Sequence, residues 1–105
     1  MSEKPGYIDG KHFTEYSDEV RRLRREGKSD EAVRLLLRLI DATEAESVDT
    51  GFGVAPWYYD QLSIEYKKRG QIDESRAVLH RFADQKHSPG RASVKLMEKL
   101  QKEIS

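Results

Sequence analysis

The chain has 105 residues, 19 basic and 19 acidic side chains, a formal net charge of zero and no cysteine. That length sets one small domain with a single modest core, the charge balance leaves no global field to steer it to DNA or an anionic membrane, and the cysteine count excludes a disulfide frame and thiolate chemistry. The longest apolar run, Leu35 to Leu37, is far too short to span a bilayer, and no apolar segment near Met1 reads as a secretory leader, so a soluble cytoplasmic protein is expected.

Residues 1–11 hold Pro5, Gly6 and Gly10 and read as an irregular lead-in, which Tyr7 and Ile8 could tack onto the body. From 12 to 104 a single helical domain is expected. Its first helix spans about Phe13 to Glu26, because Phe13, Tyr16, Val20 and Leu23 recur at spacings of three and four. Gly27 ends it, and Ser29 is placed to cap the next helix, with Asp30 and Glu31 at its positive end. The second helix is apolar over a wide arc from Val33 to Ile40, then acidic from Asp41 to Glu46, where it should protrude. It closes a first hairpin, 12–47.

Asp49 to Gly53 reads as a loop. Pro56 suits the first turn of a third helix, which carries Tyr59, Leu62 and Tyr66 on one face and stops at Gly70. Asp73 flanks the start of a fourth helix holding Val78, Leu79 and Phe82, so a second hairpin covers 55–86. Pro89 and Gly90 break the chain again. A capping helix, 92–104, follows with an apolar stripe of Val94, Met97, Leu100 and Ile104 and with Leu96 beside it. Short turns at Gly27 and Gly70 force antiparallel neighbours, so the fold class is all-α, two antiparallel helical hairpins and one terminal helix.

One phrase occurs twice. Tyr59, Leu62, Ser63, Tyr66, Gly70, Ser75 and Leu79 match Tyr16, Glu19, Val20, Leu23, Gly27, Ala32 and Leu36, each pair 43 residues apart. The second copy resembles a tetratricopeptide repeat: an aromatic, a leucine beside a small residue, a tyrosine, a turn glycine, then a small and a large apolar residue. The first copy departs from it at Glu19 and Val20, neither copy has the closing proline, and the spacing exceeds the usual period of about 34. The resemblance covers about Phe13 to Phe82 and implies a short right-handed superhelix of the tetratricopeptide kind. Small proteins of this kind occur in bacteria and their phages, often as accessory subunits. It also implies a protein-binding adaptor whose concave face is lined by the first helix of each hairpin.

At about 100° per residue, Trp57, Gln61, Ile64 and Lys68 lie opposite the core side of the third helix, flanked by Asp60 and Lys67. On the first helix Arg21 and Arg25 lie opposite the apolar stripe, with Arg24 to the side and Thr14 and Ser17 in the same outer region. Together these form a candidate groove, since aromatic anchors and arginines make interaction hot spots and arginine pairs two-pronged with carboxylates. A protein segment, acidic or C-terminal, would suit it. The carboxylate clamp of chaperone-binding relatives uses asparagines, and this chain has none. The bland alternatives are a solvated charged face and a Trp57–Ile64 pair packed on the preceding hairpin.

Two other partner classes stay open. The clusters Arg21, Arg22, Arg24, Arg25 and Lys67, Lys68, Arg69 fit a nucleic-acid binder, against the zero net charge. An incomplete stack could also associate with a copy of itself. No enzyme, metal or cofactor is expected. His12, His80 and His87 have no ligand spacing, and Gly51 to Gly53 precede no lysine–serine pair. Asp41, Glu44, Glu46 and Asp49 read as a solvated acidic patch, and no carboxylate sits in an apolar setting.

Overall fold

The computed structural model describes residues 4–104. Among the described residues five α-helices form the body: α1 (Ser17–Arg25), α2 (Ser29–Thr50), α3 (Pro56–Lys68), α4 (Ile72–Ala83) and α5 (Arg91–Ile104). Consecutive helices pack on one another, and α5 also touches α3. The core runs through all of this, with Val20, Leu36, Leu39, Ile40, Tyr59, Leu62, Leu79 and Phe82 wholly buried.

The two hairpins turn in the same way. Gly27 and Gly70 take the left-handed conformation, with φ of 73° and 78°. The amides of Lys28 and Gln71 donate back to the carbonyls of Leu23 and Tyr66, at 2.8 and 2.9 Å. This is the glycine-closed helix end that satisfies stranded carbonyls, built twice from residues 43 positions apart. Four pairs of the repeated phrase are buried in both copies, Tyr16 with Tyr59, Val20 with Ser63, Ala32 with Ser75 and Leu36 with Leu79; Leu62 is buried where Glu19 is exposed, and Leu23 is buried where Tyr66 is partly so. Leu62 is covered because, among the described residues, α3 lies against α2, α4 and α5, whereas α1 packs chiefly on α2.

Ala32 and Ser75 both sit at helix crossings with almost no exposure. The Ser75 hydroxyl donates to the Ser63 carbonyl at 2.9 Å, which holds α4 against α3. Leucine at Ala32 or Ser75 is therefore expected to overpack the crossing and cost roughly 1–3 kcal/mol. Thermal denaturation checks this, and unchanged midpoints in both variants would contradict it.

From Tyr7 on, the lead-in is a β-hairpin rather than irregular. Tyr7–Ile8 (β1) and Lys11–His12 (β2) pair antiparallel. Asp9 and Gly10 between them have φ of 50° and 84°, the positive pair that a two-residue hairpin turn of type I′ needs. Ile8 is buried, and its carbonyl accepts from the Tyr16 hydroxyl at 2.6 Å. His12 ties the hairpin down again, with Nε2 2.5 Å from Glu46 Oε2.

Several helix ends also differ from expectation. The first helix opens as a 3-10 turn, Phe13–Tyr16, capped by His12 and Glu15, before α1 proper. Ser29 does not cap α2; it is the first residue of that helix, and its hydroxyl donates to Glu65. The acidic end of α2 does not protrude, since Ala42, Thr43 and Ser47 are buried, and α2 continues to Thr50. Asp41 and Glu44 are bound by Arg81 at 2.8 and 2.7 Å; Asp41 stays exposed, while Glu44 is largely withdrawn from solvent. On α5 the buried face is Ser93, Leu96 and Leu100, while Val94 is 58% exposed. The side chain of Ile104 lies outside the described residues.

Candidate functional site

Pro56 occupies the first turn of α3 and fixes where that helix starts. From there Tyr58, Tyr59, Leu62, Ser63 and Glu65 turn inward. Trp57, Asp60 and Ile64, at spacings of three and four, form a different face. They meet Ala92, Lys95, Leu96 and Lys99 of α5, spaced in the same way. Between the two helices lies an open groove of about 340 Å³.

The groove is apolar at its centre and charged at its edge. Leu96 is buried and Trp57 is partly buried, so the indole is neither core nor fully solvated. The indole stands edge-on to Tyr58 at 5.0 Å and 84°, and Tyr58 stands edge-on to Phe13 at 5.3 Å and 83°. This aromatic chain ties the groove to the core. Burial raises the pKa of Tyr58, against a hydrogen bond with Ser17 and the charge of Arg21. The Arg21 guanidinium lies 5.1 Å above the Trp57 ring, a cation–π contact that brings α1 to the edge of the site. Lys99 donates to Asp60 at 2.8 Å and bridges α5 to α3.

The expected site residues divide. Trp57, Asp60 and Ile64 line the groove and Arg21 covers one ring of it. Arg24 does not take part. Its Nε donates to Glu65 at 2.9 Å, and it also bonds Gln61, so it joins α1 to α3. Glu65 is only 4% exposed, a buried carboxylate missed by the pattern of residues. Lys67 donates to Glu103 at 2.9 Å and links α3 to the far end of α5. Lys68 is exposed, and its charge acts on Glu65. Thr14 and Ser17 hold the start of the first helix: Thr14 Oγ1 meets His12 Nδ1 at 2.8 Å, and the Ser17 hydroxyl donates to the Thr14 carbonyl at 3.3 Å. Arg25 is exposed and, among the described residues, has no ion pair.

Lys95, Leu96 and Lys99 line the groove from α5, which the sequence reads only as a covering helix. Their signal was the apolar Leu96 flanked by lysines at i−1 and i+3. Most cations of the two basic clusters are also committed. Arg22 pairs with Glu19 and Glu26, and Arg69 pairs with Asp30 at 3.1 Å. Among the described residues no three His, Cys, Asp or Glu side chains are placed to hold a metal ion, and no helix is long and apolar enough to cross a membrane. What the groove offers is aliphatic and aromatic contact framed by positive charge, which suits the binding of a side chain.

No protein-family model, curated protein or solved structure matches this chain.

Proposed function

We propose that this protein is a protein-binding module rather than an enzyme, and that the groove between α3 and α5 receives a segment of the partner. The observation that carries this is the position of Trp57: partly buried, lining an open apolar groove and roofed by an arginine. Tryptophan and arginine over a pocket is the composition that dominates interface energetics. We also read the fold as a short tetratricopeptide-like superhelix, supported by two identical glycine turns 43 residues apart. The site moves from the α1–α3 face to the α3–α5 groove, because Arg24 and Lys67 are engaged in structural pairs.

Trp57→Ala is expected to weaken partner binding by at least about 30-fold while the helical content is kept. A hot-spot aromatic contributes on the order of 2 kcal/mol or more. Titration of a captured partner against both proteins, with circular dichroism as the fold control, checks it. Unchanged affinity in a folded variant would remove the groove from the site, and an unfolded variant would make Trp57 core.

A further inference from the structure

We propose that the partner segment is acidic, with carboxylates beside an apolar anchor that meet Lys95 and Arg21. This rests on the groove being the docking site. Asp60 is the one carboxylate among the residues lining the groove, and Lys99 already holds it at 2.8 Å. The charges left over are positive. Lys95 is exposed on α5 and, among the described residues, has no ion pair. Arg21 reaches the Trp57 ring from α1, and its own carboxylate, Asp18, lies 3.3 Å away on a fully solvated side chain. Such a pair contributes little and exchanges readily for a better-placed partner.

The two cations come from different helices: Lys95 lines the groove, and Arg21 lies over the ring of Trp57, which lines it too. A segment with an aliphatic or aromatic side chain in the groove and acids on either side satisfies all three. A neutral segment gains only the floor, and a basic one is repelled by Lys95 and Arg21. The volume of about 340 Å³ is near the small end of ligand sites, room for one or two side chains. Arg21, held over the indole, can meet a carboxylate with two parallel N–H bonds, and Lys95 acts as a point charge. A phosphate backbone would prefer a continuous row of cations, and the basic clusters lack one because Arg22, Arg24, Lys67 and Arg69 are paired internally.

Random peptides displayed on phage, panned against the wild-type protein, Lys95→Glu and Trp57→Ala, test the idea. The wild type should enrich peptides with Asp or Glu within one helical turn of a large apolar residue. The best of them, made synthetically, should bind Lys95→Glu about tenfold more weakly at low salt, a gap that narrows as salt is raised. Enriched peptides without acidic bias that bind Lys95→Glu equally would overturn the acidic partner and leave the groove standing. Enrichment that survives Trp57→Ala, or none above background, would overturn both. Tighter retention of a single-stranded oligonucleotide than of any acidic peptide, falling steeply with salt, would overturn the proposal in favour of nucleic acid.

Discussion

Gly53→Ala is expected to cost roughly 4 kcal/mol, a large share of what holds a domain of this size together. Gly53 has φ of 107°, where a side chain is strained, and an added Cβ would land on the backbone of His87 and Ser88. That backbone cannot withdraw easily. The Val54 amide donates to the Lys86 carbonyl at 2.8 Å, and the Ser88 amide donates to the Val54 carbonyl at 3.1 Å. The His87 ring is stacked on the buried Phe82 at 4.0 Å. These contacts join the loop after α2 to the loop after α4 and so fix where α3 and α5 begin. Gly51→Ala is the control, because only the tip of Lys86 lies within 4.0 Å of its added Cβ, and about 1 kcal/mol is expected there. Denaturant unfolding of both variants checks this; equal losses would contradict it.

Glu65→Ala is expected to cost about 3 kcal/mol, the lower end of what breaking a buried ion pair costs, since Arg24 keeps some solvent access. The carboxylate accepts from Arg24 at 2.9 Å and from the Ser29 hydroxyl at 2.7 Å, so it ties α1 and the start of α2 to α3. Burial pushes the pKa of Glu65 up. The hydrogen bonds from Ser29 and Arg24, with the charges of Lys68 and Arg24, outweigh that and hold it below the ordinary 4.5. A carboxylate depressed in the folded state stabilises fully above its unfolded value, and that contribution disappears as pH falls through the folded value. Wild-type stability should therefore fall below about pH 4.5, and Glu65→Gln should show a flatter profile in that window. Chemical denaturation at several pH values checks it, and parallel profiles would show that Glu65 carries none of the dependence.

What the sequence made legible was local. Turn glycines, helix spacing and the repeat at 43 residues each follow from neighbours along the chain, and five helices follow from them. Contacts between helices were not legible. Arg24 and Glu65 are 41 residues apart, and on its own helix Arg24 looks like part of a solvated charge run. Glu65 did carry a signal, since it lies three residues past Leu62 and shares its buried face. The face of α5 was misread because Ser93 broke the apolar pattern; it is buried with its hydroxyl donating to the Ser88 carbonyl at 2.8 Å. The β-hairpin escaped because strands of two residues show no alternation, although Asp9-Gly10 is a strong turn pair. Half of the candidate groove was legible, Trp57, Asp60 and Ile64, and the half from α5 depended on how the last helix docks.

A partner segment is proposed to sit between α3 and α5. Backbone amide chemical shifts of the labelled protein, recorded with and without a bound peptide segment, test it most directly. The largest changes are expected at Trp57, Asp60, Ile64, Lys95, Leu96 and Lys99, with the indole N–H of the single tryptophan among them. Changes centred instead on Arg22, Arg25 and Lys68, with the Trp57 indole unmoved, would contradict it.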